Sequence, residues 1–172
     1  MERVWQRVYF FGVCFLLAAC SATKHIPKGD KLYTGAIVKL KGTTELTRNE
    51  HKVLKTDLKG LTRPKPNTTF LGLPLKLNLY NFFYKSKKLR DRLGEPPVLL
   101  SSVDLAYNTK ILQNHSENKG FFKAIVTGDT VVRRKKAHAV YTVEAGDQYN
   151  INSIAFANWL LSFSKATLLM LY

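Results

Sequence analysis

The chain of 172 residues has two cysteines, Cys14 and Cys20, and both lie in its first twenty residues. The rest holds none, which excludes a disulfide framework and any cysteine-ligated zinc site in the body of the protein. Acid is scarce: 12 Asp and Glu stand against 27 Lys and Arg, a formal charge of +15. Such an imbalance excludes most cationic partners and favours anionic ones, nucleic acid or a lipid surface. The four histidines, His25, His51, His115 and His138, are not paired at metal-ligand spacing. No nucleophile elbow, phosphate loop, dinucleotide fingerprint or zinc-protease motif occurs. The expectation is therefore no enzyme, no cofactor and no metal. Low-complexity tracts and internal repeats are also missing. With 45% hydrophobic and 23% charged residues, most of the chain has enough apolar surface to fold as one domain.

What is present begins at the N-terminus. Arg3 and Arg7 precede an apolar run, VYFFGVCFLL at 8–17, followed by Ala18, Ala19 and Cys20. Basic start, short apolar middle and small residues at a cut site are the plan of a secretory signal over 1–19. The run is about 12 residues with its alanines, against roughly 20 for a membrane span. The segment LAAC at 17–20 resembles a bacterial lipobox, which implies that Cys20 is acylated and becomes the first mature residue. Ser21 in place of an acid implies, by the same resemblance, sorting to the outer membrane. Several acyl chains on one residue hold a protein firmly where one chain is marginal. The exported part keeps 25 basic and 11 acidic residues, so its +14 is not a property of the leader.

Residues 20–32, with Pro27 and Gly29, read as a tether. Residues 33–41 alternate: Ala36, Val38 and Leu40 on one face, Ile37, Lys39 and Lys41 on the other, which predicts a strand. Thr47 and Glu50 fit a capping box, and Leu54, Leu58 and Leu61 form a helical stripe with Gly60 at its end. Pro64 and Pro66 stop that helix. Residues 62–100 then read as an insertion, mixing Phe70, Tyr80, Phe82, Phe83 and Tyr84 with Lys85, Lys87, Lys88, Arg90 and Arg92. It is expected to hold at least one helix, at about 79–93, ended by Gly94, Pro96 and Pro97. A second main helix is predicted over 102–118, capped by Ser101 with Asp104, carrying Val103, Ala106, Tyr107 and Ile111 on one face and Leu105 and Leu112 nearly opposite. Strands are predicted at 121–133 and 137–144, joined by a basic turn at 134–136 in preference to Gly128-Asp129. One more strand is expected at 149–157. Strand, helix, helix, strand, strand gives an α+β layer with two helices on one face of a small sheet.

That order resembles the POTRA module, the periplasmic β-α-α-β-β unit of the BamA/TamA superfamily. NKGFF at 118–122 is similar to the family's junction between second helix and second strand. YTVEAGDQYNINSI at 141–154 looks like the exit from one module and the first strand of the next. KHIPKGDKLYTGAIVKLKG, RPKPNTTFLGLPLKLNLYNFFY and LGEPPVLLS resemble the lipoprotein-type TamA relatives of Bacteroidetes, in which a lipobox precedes the modules. The resemblance implies a POTRA-like domain at 33–146 and the start of a second module at 147–172. It also implies an outer-membrane lipoprotein whose periplasmic module receives extended segments of client outer-membrane proteins or periplasmic partners, by strand addition at 121–133 or 137–144. The family continues into further modules and a barrel, so 147–172 reads as truncated or frameshifted. Two other expectations stand beside this. Runs 85–92 and 133–136, interleaved with aromatics, fit a nucleic-acid-binding protein; export would remove that partner and leave lipid headgroups as the anionic surface. Residues 154–172, charged only at Lys165, fit the membrane helix of a stand-alone anchored adaptor.

Overall fold

A computed structural model describes residues 22–42, 46–151, 153 and 154. The elements are β1 (Leu32–Lys41), α1 (Arg48–Leu61), α2 (Leu75–Phe82), α3 (Lys87–Leu93), a 3-10 turn (Leu100–Ser102), α4 (Leu105–Asn118), β2 (Ile125–Arg133) and β3 (Lys136–Glu144). Setting aside 62–100, the order is β-α-α-β-β, and the fold is α+β. The sheet runs β1-β3-β2, with β1 parallel and β2 antiparallel to the central β3. α1 and α4 cover one face of it.

Alternation explains the sheet. In β3 the side chains of Ala137, Ala139, Tyr141 and Val143 are buried, while the residues between them are half exposed. In β1 the buried apolar side chains are Leu32, Tyr33, Ala36 and Val38, with an irregularity between Tyr33 and Ala36, and Lys39 and Lys41 face solvent. Leu54 and Leu58 of α1 and Leu112 of α4 close the core from above. Burying a leucine side chain contributes about 2 kcal/mol, so these few positions carry much of the stability. The hairpin turns at Arg134 and Lys135, as the basic-turn reading expects, with Arg134 in the left-handed region at φ 57°. Gly128 lies inside β2, opposite Tyr141. A Cβ there would stand 3.0 Å from the Thr109 methyl and 3.1 Å from the Tyr141 ring, so its absence lets α4 cross close to the sheet.

Several expectations are corrected. The capping box of α1 forms, with Thr47 N–H donating to Glu50 Oε2 at 2.9 Å and Glu50 N–H to Thr47 Oγ1 at 3.4 Å. Gly60 does not stop α1, however; the helix passes through it to Leu61 and Thr62 is the cap. The insertion, expected to hold at least one helix at about 79–93, holds two, α2 and α3, the first beginning earlier at Leu75, with a break at 83–86. The break lets Tyr84 stack on His25, ring centres 4.0 Å apart, and Arg90 sit 5.0 Å over Tyr80 and 5.8 Å over Tyr84. Such tertiary contacts override the weak preference of a short segment. Asp104, not Ser101, caps α4, accepting from Tyr107 N–H at 2.9 Å. Ser101 instead donates its hydroxyl to Asp30 Oδ2 at 2.6 Å. That bond, with the Lys31 N–H, holds the Asp30 carboxyl below the usual range.

The buried face of α4 is Asn108, Leu112 and Ser116, with Leu105 half-buried; of the other predicted face Val103 and Ile111 are half-buried, while Ala106 and Tyr107 are exposed, Tyr107 at 57%. β2 starts at Ile125 rather than 121. Phe121 is buried before it, in a turn closed by Ala124 N–H to Phe121 O at 3.0 Å. Gly120 takes φ +92°, and a Cβ there would lie 2.6 Å from the Tyr149 carbonyl oxygen. The NKGFF junction therefore needs glycine, both for its backbone and for the close pass of residue 149. Residues 149–151, 153 and 154 form no strand, and the rest of the 149–157 expectation lies outside the described residues.

The core holds one pH-sensitive feature. Burial, and then the neighbouring Tyr141, push the Tyr33 phenol up to about 12, and burial raises Tyr141 as well. Below pH 10 both folded and unfolded chains keep the Tyr33 proton. Above it the unfolded chain releases the proton while the folded one holds it, so stability falls as pH rises from about 10 to 12, by roughly 2–3 kcal/mol in all. The Tyr33 hydroxyl has no hydrogen-bond partner among the described residues. Tyr33→Phe is expected to leave neutral-pH stability within about 1 kcal/mol and to flatten the alkaline loss. Urea unfolding at a series of pH values checks both; an unchanged alkaline slope would remove Tyr33 as its source.

Candidate docking edge and anchor end

The sequence leaves open which of the two later strands is the edge. Pairing decides it: β3 has neighbours on both sides and β2 on one. The two-residue turn makes Arg133 and Lys136 a mutually hydrogen-bonded pair, and the alternation of an antiparallel ladder then runs back along β2. Residues 125, 127, 129, 131 and 133 direct their backbone groups at β3. Val126, Gly128, Thr130 and Val132 direct theirs outward, where no strand pairs with them among the described residues. Thr130 N–H is occupied by its neighbour's carboxylate, Asp129 Oδ1, at 2.6 Å. A charge beside an open edge is a common guard against unwanted pairing.

The opposite edge is shorter. The first half of β1 is closed by residues 98–100: Tyr33 N–H donates to Val98 O at 2.8 Å and Leu100 N–H to Lys31 O at 2.9 Å. Pro66 covers Gly35, 3.2 Å from where its Cβ would be. β2 is thus the longer uninterrupted edge. The sheet face away from the helices carries Ile37, Val131 and Ile125, all over 40% exposed, with His138 and Val140 half-buried between them. An extended segment beside β2 would continue that face.

Two buried asparagines hold the insertion to this frame. Asn108 of α4 accepts from Arg63 N–H at 2.8 Å and donates to Arg63 O at 2.6 Å. Asn67 accepts from Val98 N–H at 2.9 Å and donates to Pro96 O at 2.7 Å. Each side chain does what a neighbouring strand would do, so both ends of the insertion are pinned without secondary structure.

Cys20 lies outside the described residues. Ala22 is the first described position, and its carbonyl accepts from Asn81 Nδ2 at 3.3 Å. His25 lies against Tyr84, His51 in α1, His115 in α4 and His138 in β3, so the fold does not gather them. Among the described residues no group of three or more His, Cys, Asp or Glu could hold a metal ion, and no helix is long and apolar enough to cross a membrane. Residues 155–172, with most of the proposed membrane helix, lie outside that description. An apolar groove of about 270 Å³ lies between α1 and residues 119–121, with Leu54 and Phe121 among its lining. No family model, curated protein or solved structure matches this chain.

Proposed function

We propose that the chain is the front part of a BamA/TamA-type outer-membrane assembly or translocation factor. In this reading Cys20 carries the lipid anchor, the POTRA-like domain lies in the periplasm, and β2 receives extended segments of client or partner proteins. The observation that supports it best is a nine-residue β2 edge without a strand partner among the described residues, on a β-α-α-β-β frame that begins about a dozen residues after a lipobox-like LAAC. Strand addition suits such a task because backbone hydrogen bonds bind without demanding one sequence.

The anchor is tested by mass spectrometry of the chain expressed in a diderm bacterium. The expected product starts at a triacylated Cys20 and sediments with outer membrane; Cys20→Ser releases it to the periplasm. A cytoplasmic product with intact Met1 would overturn the reading and favour the nucleic-acid alternative. Docking is tested separately by NMR titration with strand peptides from outer-membrane barrels. Shifts are expected along β2, at Val126, Gly128, Thr130 and Val132. Shifts confined to the groove beside Phe121 would sink the edge assignment.

A further inference from the structure

The two basic runs, 85–92 and 133–136, are more than forty residues apart in sequence, yet the fold brings them to one end of the module. The first described residues run between them. Thr23 shares a surface hollow with Arg133, Arg134, Lys135 and Lys136. Lys24 and His25 share another with Asn81, Phe82, Phe83, Tyr84, Lys85 and Ser86. Contacts fix this path: Asn81 Nδ2 holds the Ala22 carbonyl, Tyr84 stacks on His25, and Leu32 N–H donates to Lys135 O at 2.9 Å.

Ala22, the first described residue, follows Cys20 by two positions in the chain and enters the fold at this end. β3 then runs nine residues away from the hairpin tip, about 30 Å, before the chain leaves at Ala145. The chain's entry at Ala22 and its exit at Ala145 are at opposite ends of the sheet. The entry end also has the surface a bilayer would meet. Lys24, Lys85, Lys87, Lys88, Arg92 and the hairpin cations are all exposed. Phe82 and Tyr84 beside them are 63% and 48% exposed. Segments 82–88 and 133–136 contain no acid. The one acid inside the insertion run and the next acid after it are engaged: Asp91 with Arg90 Nε at 3.1 Å, and Glu95 with Thr68 and Asn67. Exposed aromatics among lysines are a combination suited to the headgroup layer.

We propose that the hairpin tip and the insertion together form a face that docks on an anionic bilayer surface, standing the sheet upright with its exit end away from the membrane. The proposal rests on the anchor reading only for orientation; the binding face stands on its own. Each cation near an anionic surface strengthens binding by roughly fivefold.

The test uses the chain from residue 20 with Cys20→Ser, so that no acyl chain contributes, and co-sedimentation with phosphatidylglycerol-containing or pure phosphatidylcholine vesicles at physiological salt. Binding is expected to the anionic vesicles and not to the neutral ones. Replacing Lys85, Lys87 and Lys88 by Gln is expected to weaken it on the order of 10- to 100-fold, and replacing Arg134 and Lys135 by Gln about tenfold or more. The same change at Arg48, Lys52 and Lys55 of α1 is expected to shift it less than about twofold, because screening limits remote charges. Circular dichroism confirms that each variant is folded. Equal losses in all three sets would mean that net charge, not a face, binds, and would overturn the proposal. Equal binding to neutral vesicles, or none to either, would do the same. An unmodified Cys20 in the mass spectrum with face-specific binding intact would remove the anchor reading alone.

Discussion

Val140→Pro is expected to yield no folded protein. Val140 sits in the middle of β3, paired with Asp129 of β2 on one side and Ile37 of β1 on the other. Proline removes its N–H, which bonds to β2, and its ring crowds a strand enclosed on both sides. The loss starts at about 3 kcal/mol and grows because β3 is what joins β1 to β2. A domain of this size has about 5–15 kcal/mol in total, and the core residues Ala139 and Tyr141 flank the site. Circular dichroism and gel filtration of the purified variant check this; a cooperative melt within about 5 °C of the parent would mean that β3 is not the central strand. Thr130→Pro is the contrast. Its N–H points outward to Asp129, so no ladder bond is lost. The variant is expected to fold, with a loss of about 1–2 kcal/mol, and to bind strand peptides more weakly. The pair separates an edge from a centre, a distinction that side-chain alternation alone does not make.

That last point marks where the sequence stops being legible. β1 and β3 could be read because one face is buried and period two shows it: Ala36, Val38, Ala139 and Tyr141 are all in the core. The α1 capping box and the turn at Arg134 and Lys135 are local, and local chemistry is readable. The inward face of α4 is not legible in the sequence because much of it is polar. Asn108 and Ser116 are 1% and 0% exposed, and no hydrophobic pattern reports a buried asparagine that bonds a loop. The start of β2 is not legible because Phe121 is buried in a turn rather than on a strand face. Edge and centre were not separable because strand order depends on β1 reaching β3 across the whole length of the chain. Each basic run was visible, but their convergence beside residues 22–25 is a property of that long crossover. Cys20, the one site residue named from sequence, depends on a short local motif and lies beyond the described fold.

Asn108→Ala is expected to cost about 3–4 kcal/mol, large for a residue outside the apolar core. The side chain is 1% exposed and makes both hydrogen bonds to Arg63, at 2.8 and 2.6 Å. Truncation removes two bonds and leaves a partly buried N–H and C=O without partners, at about 1–3 kcal/mol for each group that water cannot reach, together with a small cavity. Urea unfolding measures the loss. A cost below about 1 kcal/mol would show that water replaces the amide and that the contact is incidental.

Asn108→Asp separates the two bonds. A carboxylate can still accept from Arg63 N–H but cannot donate to Arg63 O, and its charge is buried against that carbonyl. Burial raises its folded pKa above the unfolded value near 3.9, so the folded state binds the proton more tightly. Stability is then highest below pH 4 and falls as pH rises through the folded pKa, a slope the parent lacks at this site. At neutral pH this variant is expected to be at least as unstable as Asn108→Ala, and on acidification to recover toward the parent as the protonated acid donates to Arg63 O. If the two variants lost equal stability with no pH dependence between them, the Asn108 amide would be filling space rather than holding the start of the insertion. The consequence for binding follows from the same bonds. Arg63 leads into the insertion that carries Phe82, Tyr84 and Lys85, so loosening it should weaken contact with an anionic bilayer even where the sheet survives.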